Sequence, residues 1–159
     1  MISNNLKLLY IPAFALIIFA ISASSSFGAA AIGPRLGVDF DTDKFVLGGA
    51  AEVGPVFKSF LFVPSLDFEL GDNSFTAANL DFRLYLFHLP GTGLRFYGSA
   101  GPTILFGSGN GDSDTELGLS LIAGVNIPMK NVSRYNIEAR FGLGDIPEFK
   151  LMLNVLFGI

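Results

Sequence analysis

The sequence has no cysteine, no tryptophan, a single histidine and few charged residues. Without cysteine the chain has no disulfide framework, no thiolate metal site and no lipid-modified N-terminal cysteine. Charged residues make up 15% of the chain and hydrophobic residues 50%, a balance that is unusual for a water-soluble domain. The net charge is -4 and no basic stripe is present, which argues against a nucleic-acid partner.

Helical periodicity is missing as well. After Ala31 no apolar set recurs at three-to-four spacing over three turns, and glycine or proline interrupts every window. Strict alternation takes its place, and a period of two indicates β-strands. The length of 159 residues suits one domain.

Eight segments show this alternation. They cover residues 35–41, 45–54, 58–70, 75–87, 94–106, 116–127, 135–144 and 149–159. Seven short connections rich in Gly, Pro, Asp, Asn and Ser join them, which is typical of antiparallel hairpins. The sequence therefore predicts an all-β fold, an eight-stranded antiparallel up-and-down barrel.

The first thirty residues differ from the rest. Lys7 is followed by an apolar run from Leu8 to Ala23 and then by small residues up to Ala31. This order is typical of a secretory signal peptide. We expect residues 1–30 to be cleaved, leaving residues 31–159 as the barrel domain. An uncleaved membrane anchor is the alternative, although the run is short for a spanning helix.

The two faces of the strands decide which kind of barrel forms. The apolar faces carry too many large side chains for the narrow interior of eight strands. The opposite faces mix glycine, serine and asparagine with long charged residues such as Arg83, Arg140 and Glu52. Aromatic residues lie near both ends of the segments, as at the two interfaces of a bilayer. These features favour a membrane barrel with an apolar exterior over a soluble, lipocalin-like ligand binder, which remains an alternative.

With these strands and its export signal, the chain resembles the small outer-membrane barrels of the OmpA transmembrane-domain/OmpX type over about residues 32–159. The resemblance implies the outer membrane of a Gram-negative bacterium and contact with its lipid and lipopolysaccharide. It also implies insertion by the barrel-assembly machinery, with the first, third, fifth and seventh connections outside the cell. We expect a monomer. Barrels of this group usually end on Phe, whereas here Phe157 precedes the last residue by two. The expected assembly signal comprises Phe149, Leu151, Leu153, Val155, Phe157 and Ile159.

The inward-facing charges suggest what fills the lumen. Because isolated charges out of water are costly and the two signs are nearly balanced, we expect ion pairs across a filled interior rather than a conducting channel. The predicted network comprises Glu52, Asp81, Arg83, Arg95, Glu138 and Arg140. The remaining acidic residues Asp39, Asp67 and Glu69 are predicted near the outer mouth, where water or a cation would balance them. A narrow pore for ions or small solutes is the alternative.

No catalytic, cofactor or metal site is predicted. His88 is the only histidine and falls in an inner turn, away from any Ser–His–acid arrangement. Asn110, Asp112 and Asp114 have oxygen ligands at a spacing of two but lack a complete calcium loop, so we expect a solvated turn. The predicted function is structural, in envelope integrity or surface interaction. Pro64 and Pro102 fall inside predicted strands, and each should cause a bulge or a local break.

Overall fold

The computed structural model of the chain describes residues 30–71, 75–107, 115–129 and 133–159. Residues 1–29, which hold nearly all of the predicted signal peptide, and the 110–114 turn lie outside the described residues. The described residues form eight β-strands: β1 Ala30–Asp39, β2 Lys44–Phe57, β3 Phe60–Leu70, β4 Phe75–His88, β5 Arg95–Gly107, β6 Thr115–Pro128, β7 Ser133–Gly144 and β8 Phe149–Gly158.

Each strand pairs antiparallel with its neighbour in sequence, and β8 pairs with β1 to close the barrel. At this seam Ala31 lies opposite Gly158 and Asp39 opposite Lys150. The Ile159 N–H donates to the Ala30 carbonyl at 3.0 Å. The predicted fold class is therefore confirmed. We call the end at which β1, β3, β5 and β7 finish the odd-loop end, and the end that holds the chain termini the terminal end.

The strand bounds differ from the predicted segments mainly in β1. This strand starts at Ala30, five residues before the predicted start at Arg35, and runs through Pro34. Its partners on β2 continue without a shift from Val53 to Lys44. Pro34 interrupts the alternation of apolar and polar residues, so the sequence pattern did not predict the first half of β1.

Pro64 and Pro102 cause local breaks without bulges. The β2–β3 ladder skips from the Ala50–Ser65 pair to the Val53–Phe62 pair, although the β3–β4 ladder is continuous at Pro64. The β4–β5 ladder likewise skips on the side of Pro102 that faces Leu80. The breaks follow because proline has no N–H to donate. The register shifts lie elsewhere, at Val53/Phe57 and at Tyr85/Phe87.

The two faces of the wall have opposite character. Along β6, exposed leucines alternate with buried Gly118, Ser120 and Ile122. Phe45 is 69% exposed and Leu117 is 67% exposed, whereas Arg83 is 1% exposed. Most large apolar side chains of the wall thus point outward and the charged ones inward, which contradicts the lipocalin-like alternative. Within the described parts of the chain no helix is long and apolar enough to span a membrane.

Candidate functional site

The barrel interior is an ion-pair network that runs along its axis. Among the residues that the structure describes, six cationic and six carboxylate side chains form ion pairs within 4 Å. The cations are Arg35, Lys44, Arg83, Arg134, Arg140 and Lys150, and the carboxylates are Asp39, Glu52, Asp67, Glu69, Asp81 and Glu138. The equal numbers leave no uncompensated charge among these twelve groups.

Arg83, on β4, occupies the centre of this network. One guanidinium nitrogen lies 2.6 Å from Glu52 and another 2.6 Å from Glu138. The guanidinium also stacks over the Tyr97 ring at 4.0 Å, while the Tyr97 hydroxyl donates to Glu138 at 2.8 Å. Glu138 receives a further contact from Arg35 at 3.4 Å. Five strands, β1, β2, β4, β5 and β7, are therefore tied together across the lumen by charge-assisted hydrogen bonds, which are stronger than neutral ones.

A second group lies toward the odd-loop end and centres on Asn79. Its amide nitrogen donates to Asp67 at 2.9 Å and to Ser65 at 3.0 Å, and its carbonyl oxygen accepts from Arg140 at 2.9 Å. Arg140 also pairs with Asp81 at 2.5 Å. Both the amide nitrogen and the oxygen of Asn79 thus have partners, as buried polar groups usually do, whereas Arg140 Nε and Asp81 Oδ1 are buried without a hydrogen-bond partner among the described residues.

The predicted outer-mouth acids do not behave as predicted. Asp39 and Glu69 are buried near the odd-loop end, where the Lys150 ammonium lies 3.1 Å from Asp39 and 2.7 Å from Glu69. Asp67 lies deeper, with its carboxylate 3.1 Å from Arg35 Nε. The expectation that water or a cation balances these acids was wrong, because lysine and arginine side chains of the chain itself balance them.

Arg95 is a second correction. It faces inward, as predicted, but lies exposed at the terminal end, where its guanidinium stacks 4.8 Å from the Tyr85 ring centre. Glu52 pairs instead with Arg134, whose guanidinium lies 2.9 Å from that carboxylate. The sequence pattern places Arg134 and Lys44 in connections, because the alternation of apolar and polar residues is too short at these strand ends to indicate β-strand residues.

The odd-loop end is covered by the connection between β7 and β8. Ile146 in this connection is buried and packs with Ala77, Leu105 and Phe75. A cleft of about 570 Å³ lies above it, and a small polar cavity of about 10 Å³ lies below it. The alternating pattern does not reveal Ile146, since a single apolar position in a short connection carries no periodic signal.

Across residues 30–71, 75–107, 115–129 and 133–159, no three His, Cys, Asp or Glu side chains are grouped to hold a metal ion. His88 ends β4 at the terminal end, is exposed, and lies opposite Arg95. The ion pairs of the network join strands across the lumen.

A closed antiparallel barrel of eight strands with a polar, packed interior defines the class of protein, and the resemblance to small barrels of the OmpA type is confirmed at the level of the fold. The structure is similar to the crystal structure of the N-terminal β-barrel domain of Pseudomonas aeruginosa OprF, with a TM-score of 0.69 and 19% sequence identity. The match covers 84% of this chain and 98% of that chain. A scan against protein-family models and a search of curated proteins give no match.

Proposed function

We propose that the chain is an integral outer-membrane barrel of a Gram-negative bacterium, with a structural role in the envelope and a lumen filled by side chains. The observation that carries this proposal is the pairing of an exposed apolar wall with an ion-paired interior. The expected cleavage of residues 1–30 and the similarity to the OprF barrel domain support it.

The exposed apolar outer surface of the barrel argues for a lipid environment, because so much apolar surface is unfavourable in water. Large hydrophobic side chains are exposed on every strand, whereas monomeric soluble proteins rarely expose contiguous apolar patches beyond a few hundred Å². The exposed residues include Leu36, Leu47, Phe60, Leu80, Phe106, Leu119, Phe141 and Leu151. In a bilayer the same side chains would face acyl chains, and the closed ladder would satisfy the backbone.

The filled lumen favours a structural role over conduction. Ion pairs at 2.6 Å cross the centre from Arg83 to Glu52 and to Glu138, and the Tyr97 ring lies against the same guanidinium. An eight-stranded barrel is just wide enough for its side chains to fill. A narrow pore would require these pairs to separate, so it is the second candidate function.

The last strand is proposed as the assembly signal. Phe149, Leu151, Leu153, Val155 and Phe157 share the outward face of β8, where the barrel-assembly machinery would meet them before the seam with β1 closes. Outer-membrane lipid and lipopolysaccharide are the proposed partners of the mature monomer. The proposal includes no enzymatic step.

Two measurements test the proposal. In fractionated cells the protein should remain with outer membranes after carbonate washing, and unheated samples should migrate differently from boiled ones on detergent gels. Recovery in the soluble periplasmic fraction would refute it. In planar bilayers the native protein should give no stable openings, whereas stable openings that Arg83→Ala alters would establish the pore instead.

A further inference from the structure

The odd-loop end of the lumen carries an apolar closure made by the chain itself. Residues 145–148, which we call the lid, join β7 to β8 and fold over the mouth instead of extending away from it. Ile146 is 7% exposed although it lies in a four-residue connection. A buried isoleucine in so short a connection contributes to packing, because its side chain has left solvent for an apolar contact.

Two glycines of the wall form the socket for this side chain. A Cβ atom at Gly118 would lie 2.7 Å from Ile146 Cγ2, and one at Gly142 would lie 2.8 Å from Ile146 Cγ1. Real Cβ atoms do not approach that closely, so any larger residue at either position would displace the isoleucine. Ala77 and Leu105 supply the opposite side of the contact.

The lid is fastened from a different hairpin. The Asp41 carboxylate, between β1 and β2, accepts hydrogen bonds from the backbone N–H groups of Glu148 and Phe149. The Gly142 N–H donates to the Glu148 carbonyl at 2.9 Å and ties the lid to β7. Asp41 is exposed, so its bonds to the lid compete with water and are individually weak.

The lid separates two spaces of different character. Above it lies the cleft of about 570 Å³, lined by Phe75, Glu116 and the lid residues. Below it lies the cavity of about 10 Å³, lined by Asn79, Ser120 and Arg140 among others. That lower cavity has the size of about one water molecule, and six of its ten lining residues are polar. Ile146 and Pro147 of the lid and Leu105 of β5 line both spaces, so these three residues form the partition.

We propose that the lid is a movable closure of the odd-loop end of the lumen: Ile146 seals it by packing, and Asp41 holds the lid shut. Opening it joins the cleft to the polar cavity and admits water and small polar solutes as far as the Arg140 and Lys150 groups. This inference goes beyond the proposed envelope role and is independent of it, because it concerns access to the lumen and not the location of the wall.

The absence of cysteine allows a direct test by thiol labelling. Ser120 is 1% exposed beneath the lid, so Ser120→Cys in an otherwise unchanged, detergent-folded protein places one thiol in the lower cavity. With the lid intact, a small charged methanethiosulfonate reagent should label it slowly. Adding Ile146→Gly should raise the rate at least about tenfold, because the loss of a buried side chain shifts the local opening equilibrium.

Matched variants make the result decisive. Ile146→Val, which keeps most of the packing, should leave the labelling rate within about twofold. Asp41→Ala should raise the rate in the same direction as Ile146→Gly, and it supplies the test if the glycine variant does not fold, which unheated gel migration reveals. His88→Cys, exposed at the terminal end, gives a reference rate for an open thiol. The proposal is overturned if Ser120→Cys reacts as fast with the lid intact as in either lid variant.

Discussion

Arg83 shows how many interactions one residue can make inside a narrow barrel. It is fully buried, bridges two carboxylates on β2 and β7, and stacks on a tyrosine of β5. A buried ion pair adds little net stability compared with apolar packing, since both charges have left water. Removing one partner has a larger effect, because Glu52 and Glu138 stay in the low-dielectric interior and keep only Arg134 and Arg35, respectively, as cationic partners.

Arg83→Ala should therefore lower the free energy of unfolding by about 3–5 kcal/mol, because Glu52 and Glu138 lose their shared partner. Urea titration of the protein folded into lipid vesicles measures this change. Arg95→Ala is the matched control: its guanidinium is exposed at the terminal end, so the loss should stay below about 1 kcal/mol. Equal losses for both variants would contradict the assignment of Arg83, and not Arg95, to the network.

At the scale of the strand, backbone contact matters as much as side-chain pairing. Gly101 precedes Pro102 in β5, and a Cβ atom there would overlap the carbonyl oxygen of Leu80 on β4. Gly98 in the same strand has only ordinary contacts around an added Cβ, the nearest being Leu86 Cδ1 at 3.8 Å. The strand thus approaches its neighbour closely at one glycine and not at the other.

We expect Gly101→Ala to destabilise the barrel by about 1–3 kcal/mol, since the obstructing atom is backbone and cannot rotate away. Gly98→Ala should be close to neutral in the same urea titration. If the alanine at position 101 proved as harmless as the one at position 98, the close approach of β4 and β5 would be disproved.

Strand count and strand faces were predictable because alternation with a period of two marks both. The height of a residue inside the barrel was not predictable, since it depends on the stagger between strands and on register shifts such as the one at Tyr85/Phe87. Arg95 was placed on the correct face and at the wrong height for this reason. Ile146 was missed because its burial results from the folding of a connection, which has no period.

At the scale of the whole molecule, the described residues form a polar, ion-paired interior enclosed by a β-barrel wall with an apolar outer surface, which we call the sleeve. The exposed residues of β6 illustrate the sleeve, with Leu121 near the middle of the strand and Leu117 close to its odd-loop end. Side chains at these two heights would experience different surroundings only if a bilayer covers the wall. The depth dependence of substitutions therefore distinguishes a lipid-facing wall from one that meets water.

Leu121→Lys should lower the free energy of unfolding in lipid vesicles by about 2–4 kcal/mol, because a charge at mid-bilayer is costly. Leu117→Lys, near the interface, should cost only about 0–1 kcal/mol. Urea titration of both variants gives the comparison. Equal costs at both positions would speak against a bilayer around β6.

Three prolines within the strands have a mechanical consequence for this sleeve. Pro34, Pro64 and Pro102 interrupt the seams β8–β1, β2–β3 and β4–β5, so every second seam up to β5 lacks a stretch of its ladder. Hydrogen bonds between neighbouring strands resist deformation of the cross-section of a closed barrel. The missing ones are distributed over three seams around the barrel. Lateral pressure would then bend the cross-section toward an oval at those seams, while the ion pairs at the axis keep the two sides together.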